Sequence, residues 1–273
     1  MAITNFDDSW KFWIWDNVKR GSPKKEIAGI LLEKGFDKQL IINEFGMPSI
    51  FETQNNAPEL DIDKILANSS FPAKRLSDKL NIFEIKNVFN EEECAQIIEV
   101  IRANCSKSSV IDYQTGGNTL SDFRTSSTAN LYRDKYSIVN LVEDRIFSLI
   151  NIPEKFTEQI QGQYYKVGEQ FKPHFDTLFP NSEFQKKEID SKGNRTWTAM
   201  IYLNNTPKGG HTKFTKIDYE SKPEMGKMIL WQDTKDGQNI QESMHWGMPV
   251  EEGEKFVLTK WFREKIYQPA LDK

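Results

Sequence analysis

The 273-residue sequence predicts an α+β fold: a double-stranded β-helix, or jelly roll, buttressed by helices and preceded by a small helical module. Three features carry this reading. Apolar residues recur at helical spacing through the first half of the chain. After Phe156 the pattern becomes strand-like, in the runs QIQGQYY, TWTAMIYLNN, HTKFTKI, KMILWQD and KFVLTKWF, with turn residues between them. The apolar fraction is a modest 38%, but 18 Phe and 7 Trp supply enough side-chain volume for a substantial core.

Residues 1–50 read as the helical module. WKFWIWDNVKRG stops at Gly21. Ser22 as N-cap and Pro23 at the first helical position predict a second helix, with Ile27, Ile30 and Leu31 on its apolar face and Gly35 as its stop. Asp37 caps a third helix, KQLIINEFG. Residues 51–79, with Pro58, Pro72 and the polar run TQNNAPELD, read as a linker. The main domain spans 80–267 and a short tail covers 268–273. Within the domain NIFEIKNVF is a strand, and Asn90 caps EEECAQIIEVIRANC, whose three leading acids suit the positive end of the helix dipole. LVEDRIFSLINI is a further helix, and the polar stretch 181–194 is a disordered loop or a lid.

Composition narrows the partners. The 36 basic and 40 acidic residues are well mixed and sum to −4, so no basic footprint exists for duplex nucleic acid. No run of about twenty apolar residues suggests a membrane span, and the N-terminal stretch does not read as a signal peptide. Cys94 and Cys105, on one helix, would lie roughly 16 Å apart at ~1.5 Å per residue, too far for a disulfide. Free thiols suit a reducing, cytoplasmic setting.

The chemistry centres on Gln163–Asp176, QYYKVGEQFKPHFD. On a strand, His174 and Asp176 would point to one face. An imidazole and a carboxylate make two-thirds of a facial metal site, and a second, distant His is the missing ligand. Only His211 and His245 remain in the chain. Two His and one carboxylate suit non-heme Fe(II) with open positions. Lys255 begins KFVLTKWF, ten residues after His245, and shares a face with Val257, Thr259 and Trp261. A Lys inside such a barrel needs a counter-charge, because burial alone would deprotonate it. Trp246, next to His245, would wall a substrate pocket, and Trp261 would do the same or fill the barrel.

These residues resemble the 2-oxoglutarate/Fe(II) oxygenases, and most closely the prolyl 4-hydroxylase family. The resemblance runs from Leu80 to Tyr267. It includes Arg124-Thr125-Ser126-Ser127, Tyr165 nine residues before His174, Gly168-Glu169-Gln170, Pro173-His174, Arg195, Gly209-Gly210-His211-Thr212, His245, Gly253, Lys255 and Trp261. It implies His174, Asp176 and His245 as catalytic iron ligands, with O2 as co-substrate and ascorbate as reductant. It further implies Lys255 on the far carboxylate of 2-oxoglutarate, with the hydroxyls of Tyr165 and Thr212 helping to hold that co-substrate. Arg124 and Arg195 would face a groove for a proline-containing peptide. His211 stands where the family usually has an acid. A similar oxygenase acting on a free amino acid or another side chain, and a non-catalytic module binding through the N-terminal helices, stay open as alternatives. The oligomeric state is not legible.

Overall fold

A computed structural model describes residues 2–47, 56–67, 69–111, 118–119 and 121–267. The expected tail at 268–273 and the linker residues 51–55 fall outside these. The chain divides into two units, Met1–Asn55 and Asn56–Lys273.

The first unit holds three helices, α1 (Asp8–Lys19), α2 (Lys24–Glu33) and α3 (Lys38–Phe45). The Asp7 and Asp37 carboxylates accept from the first free backbone N–H groups of α1 and α3, so the chain turns into each helix where a cap is available. The α2 cap differs from expectation: Pro23, not Ser22, is the N-cap, and its carbonyl takes the first helical bonds. Phe6, Ile27, Leu31, Phe36 and Ile41 close a small core.

The second unit begins with a correction. Residues 56–79, read as linker, carry α4 (Ile62–Ala67) and the edge strand β1 (Ala73–Arg75). Asp61 caps α4, whose Ile62 and Leu66 enter the main core, and β1 pairs with β2 (Ile82–Ile85). The prolines flank these elements rather than marking slack chain. Removing residues up to Asp78 would strip two buried aliphatic side chains, worth about 1.5–3 kcal/mol each, and bare the edge of β2. A chain starting at Asn56 is therefore expected to unfold cooperatively. One starting at Asp78 should unfold at markedly lower urea; equal midpoints for the two would show that α4 and β1 contribute nothing.

The helices α5 (Glu91–Asn104) and α6 (Ser137–Ile150) flank the strands β3 (Ser106–Lys107) and β4 (Ser127–Leu131) in sequence, and β5 (Ile160–Tyr165) follows α6. A full capping box between Asn90 and Glu93 starts α5. Then follow β6 (Phe171–His174), α7 (Glu183–Lys192), β7 (Arg195–Tyr202), β8 (Thr212–Phe214), β9 (Tyr219–Ser221), β10 (Met228–Gln232), β11 (His245–Gly247) and β12 (Lys255–Arg263). The expected loop at 181–194 is instead mostly α7: Ser182 caps it, and the exposed Glu183–Lys186 pair and the half-buried Glu188–Lys192 pair support its turns.

Among the described residues the strands form an antiparallel eight-stranded sheet, β1-β2-β10-β7-β12-β5-β4-β3, and a four-stranded sheet, β9-β8-β11-β6. Period-two alternation sorts the large sheet into two faces. Trp197, Ala199 and Ile201 of β7 and Phe256, Leu258 and Phe262 of β12 join the cluster that includes α5 and α6. Met200, Tyr202, Ile229, Trp231 and Val257 join Phe214 of the small sheet in a second cluster. The two sheets thus enclose an inner space, as a jelly roll requires. Gly162 of β5 sits under α5, where an added Cβ would lie 2.3 Å from Ile101 Cγ1; only a residue without a side chain lets the helix approach this closely.

Cys94 is buried, Cys105 half-buried, and both are free. No helix among the described residues is long and apolar enough to cross a membrane.

Candidate active site

The register of the small sheet brings the two histidines together. His174 ends β6 directly opposite His245, which begins β11, and their ring centroids are 4.3 Å apart. Each Nδ1 faces a backbone carbonyl, His174 that of Lys172 at 2.8 Å and His245 that of Ser243 at 2.9 Å. Each Nδ1 therefore carries the proton and donates it, leaving the Nε2 lone pairs for another purpose. Those Nε2 atoms converge on one carboxylate: His174 Nε2 is 3.8 Å from Asp176 Oδ1 and His245 Nε2 is 3.9 Å from Asp176 Oδ2.

Asp176 arrives by a different route from the one its spacing suggested. The strand stops at His174, and Asp176 lies beyond it in a bend. Its backbone carbonyl accepts from Arg195 Nη1 at 3.0 Å, and its Oδ2 contacts Thr198 Oγ1 at 2.9 Å, both from β7. Held bonds, not pleat alternation, turn the carboxylate toward the histidines. Burial pushes the His174 pKa down to about 3, with His245 adding to the shift, so its ring is neutral. Burial alone would raise the Asp176 pKa, but its surroundings, the Arg195 guanidinium among them, hold it below the usual range. One ligand atom from each of the three residues lies within 4.8 Å of the others. Two neutral imidazole nitrogens and one anionic oxygen on a common centre are the donor set that suits Fe(II).

Across the same cavity β12 supplies Lys255, paired with Tyr165 of β5. Only 2% of Lys255 is exposed, and its Nζ lies 4.9 Å from the Tyr165 ring centroid and 5.7 Å from that of Tyr202. Burial pulls its pKa down to about 7, and no acid among the described residues offsets this. An anion placed beside such a lysine would restore its charge. The glycine turn before β8 makes room for Lys255. Gly210 has φ +70°, and an added Cβ would press on Lys255 Cδ at 3.3 Å.

Tyr165 and Thr212 line the cavity, with part of their bonding already used. Tyr165 donates to Gln163 Oε1 at 3.0 Å, and Tyr202 donates to Thr212 Oγ1 at 2.8 Å. Arg124 lies at the His174 edge: its guanidinium covers the Phe171 ring at 4.9 Å, and Phe171 stacks on His174 at 3.5 Å.

Two expectations are corrected. Trp246 follows His245 on β11, so alternation sends it to the opposite face, where it donates to Gln170 Oε1 at 3.1 Å. Arg195 turns inward from the presumed groove. It clamps Glu158 through Nε and Nη2 at 2.6 and 2.7 Å, stacks on Trp261 at 3.9 Å and holds the Asp176 carbonyl. It fixes the backbone that carries Asp176. Arg195→Ala should therefore weaken Fe(II) binding, roughly ten- to hundredfold for one lost charged hydrogen bond of about 1.5–3 kcal/mol. A metal titration of the variant checks this, and unchanged affinity would return Arg195 to the substrate side. His211, by contrast, bonds Glu220 on the surface and does not line the cavity.

Sequence reasoning missed Thr198, Gln163, Trp231 and Asp233. Thr198 was accessible in principle, since TWTAMIYL places it on one face with Met200 and Tyr202.

The fold and the convergent donors define the class: residues 160–263 match the 2OG-Fe(II) oxygenase superfamily. Relatives extend the match. A probable prolyl 4-hydroxylase 10 of Arabidopsis thaliana is 31% identical over 202 residues, 67% of this chain and 68% of the relative. Prolyl 4-hydroxylase 2 of the same plant is 30% identical over 226 residues, 72% of each chain. The chain belongs to the prolyl 4-hydroxylase family of 2OG-Fe(II) oxygenases. Among solved structures, a viral collagen prolyl hydroxylase from Paramecium Bursaria Chlorella virus-1 in complex with 2OG has a TM-score of 0.54 at 20% identity, covering 67% of this chain and 96% of that one. A Trichoplax adhaerens prolyl hydroxylase in complex with a hypoxia inducible factor peptide fragment has 0.52 at 13%, covering 75% and 88%. At these identities the structures speak for the fold.

Proposed function

We propose that this protein is a 2-oxoglutarate- and Fe(II)-dependent dioxygenase that hydroxylates proline within a peptide. The observation that carries the reading is one cavity with a His-Asp-His cluster at one end and a buried, uncompensated Lys at the other. His174, Asp176 and His245 hold the metal, and Lys255 holds the far carboxylate of 2-oxoglutarate, with Tyr165 and Thr212 beside it. Fe(II) with 2-oxoglutarate and O2 supplies oxidative decarboxylation to succinate and CO2, coupled to C–H hydroxylation, with ascorbate as the reductant for iron oxidised without product. The chain's own part is to fix the histidine tautomers, seat both ends of a diacid and exclude water through the aromatic walls Phe171, Trp231 and Trp261.

A peptide substrate is supported by the family and by the named partner of the Trichoplax neighbour, a hypoxia inducible factor fragment. Arg124, half-buried over Phe171 and donating to Ser126 and Thr128, is the group we assign to the peptide backbone. A reducing, cytoplasmic setting is supported by the two free thiols. The test is a panel of proline-rich peptides, their proline-to-alanine controls and free proline, read by mass spectrometry. Oxygen gained at peptidyl proline is expected. Faster hydroxylation of free proline, or of another residue, would leave the oxygenase class standing and remove the prolyl substrate.

A further inference from the structure

We propose that Asp233 is a positioning residue for the metal-binding carboxylate and acts through Thr198. The inference rests on the reading of Asp176 as an iron ligand. Asp233 follows β10 and Thr198 lies inward on β7; both are 0% exposed. Thr198 Oγ1 stands between two carboxyl groups, 2.9 Å from Asp176 Oδ2 and 2.6 Å from Asp233 Oδ2. A hydroxyl has one proton to give. It cannot donate to both acids, so one of the two contacts needs a proton supplied by a carboxyl group.

The surroundings decide which. As a metal ligand Asp176 is ionised, and an ionised carboxylate can only accept. Asp233 has the Trp231 indole N–H on Oδ1 at 2.9 Å, and among the described residues no salt bridge reaches it. The hydrogen bonds therefore run from Asp233 Oδ2–H to Thr198 Oγ1, and from Thr198 Oγ1–H to Asp176 Oδ2. One Asp176 oxygen is pinned by a donor, which sets the rotation of the carboxylate before any cation arrives. Trp231 ties the same network to the other side of the site, since its ring lies 4.8 Å from that of His245.

Three variants read this out in an anaerobic Fe(II) titration with 2-oxoglutarate present, followed by the visible charge-transfer absorbance. Thr198→Val keeps the shape and removes the hydroxyl. Asp233→Ala removes the donor. Asp233→Asn keeps a donor toward Thr198 and an acceptor for Trp231 without needing an acid proton. Loss of a partner that orients a metal ligand typically costs ten- to a hundredfold in affinity. Thr198→Val and Asp233→Ala should each weaken Fe(II) binding by about that factor. The double variant should be no weaker than the worse single one, because both break one chain. Asp233→Asn should restore wild-type affinity. Wild-type affinity in Thr198→Val, additive losses in the double variant, or an Asp233→Asn as weak as Asp233→Ala would each overturn the proposal. If Asp233→Ala does not fold, Thr198→Val and Asp233→Asn still decide it. If His174→Ala binds Fe(II) like the wild type, the triad reading itself has failed, and the relay with it.

Discussion

Replacing His245 with alanine is expected to abolish both Fe(II) retention and 2-oxoglutarate turnover, with little change in the fold. His245 contributes one of only two neutral nitrogen donors to the cluster, and its Nδ1 is already committed to the Ser243 carbonyl. No other histidine can replace it, because His211 is engaged with Glu220 outside the cavity. The ring lines the cavity against Phe214 and Trp231, which keep their other partners in the second cluster, so its loss leaves both sheets packed. His174→Ala should behave alike. Metal content, succinate release and circular dichroism measured on the same preparation separate the outcomes. A folded variant that still turns over 2-oxoglutarate would refute the assignment of these ligands.

The second large effect belongs to Lys255. Lys255→Met keeps the length of the side chain and removes its charge. Removing one partner of a buried ion pair costs about 3–5 kcal/mol, so 2-oxoglutarate should bind two to three orders of magnitude more weakly while Fe(II) still binds. Without co-substrate the same change should stabilise the protein near neutral pH, because burying the unpaired ammonium is costly. The pH dependence has a definite sign. With the folded pKa near 7 and an unfolded value of 10.5, the unfolded chain binds more protons between those limits. Stability of the empty protein therefore rises with pH across that window on account of this group, and the rise disappears in Lys255→Met. An incoming carboxylate favours the charged form, so 2-oxoglutarate binding at pH 8–9 should take up close to one proton, visible as a buffer-dependent binding enthalpy. Unchanged affinity in the variant, or binding without proton uptake, would place the diacid elsewhere.

Much of this site was legible because its logic is local or periodic. The alternation of KFVLTKWF puts Lys255, Val257, Thr259 and Trp261 on one face, and the structure keeps all four in the cavity. The alternation argument for Asp176 reached the right neighbourhood by an incomplete route. A sequence does not show that the strand ends at His174, nor that Arg195 and Thr198 hold the next turn in place. Arg195 illustrates the limit. A charged residue before a strand reads the same whether it meets solvent, peptide or a buried acid, and only the fold brings Glu158 to it. The same applies to residues 56–79. Prolines and polar residues mark chain direction changes, but whether Ile62 and Leu66 find a core depends on α6 being beside them. Asp233 was invisible because its partners Thr198 and Asp176 are distant in sequence.

The central claim is that one cavity couples co-substrate oxidation to proline hydroxylation. Its most direct test is stoichiometry: the full chain, loaded with Fe(II) and given 2-oxoglutarate, O2 and a proline-rich peptide, with succinate and hydroxyproline counted in the same reaction. One succinate for each hydroxylated proline, and loss of both in His245→Ala, is the expected result. Iron-loaded protein that binds 2-oxoglutarate yet releases no succinate, or that forms hydroxyproline without consuming 2-oxoglutarate, would contradict it.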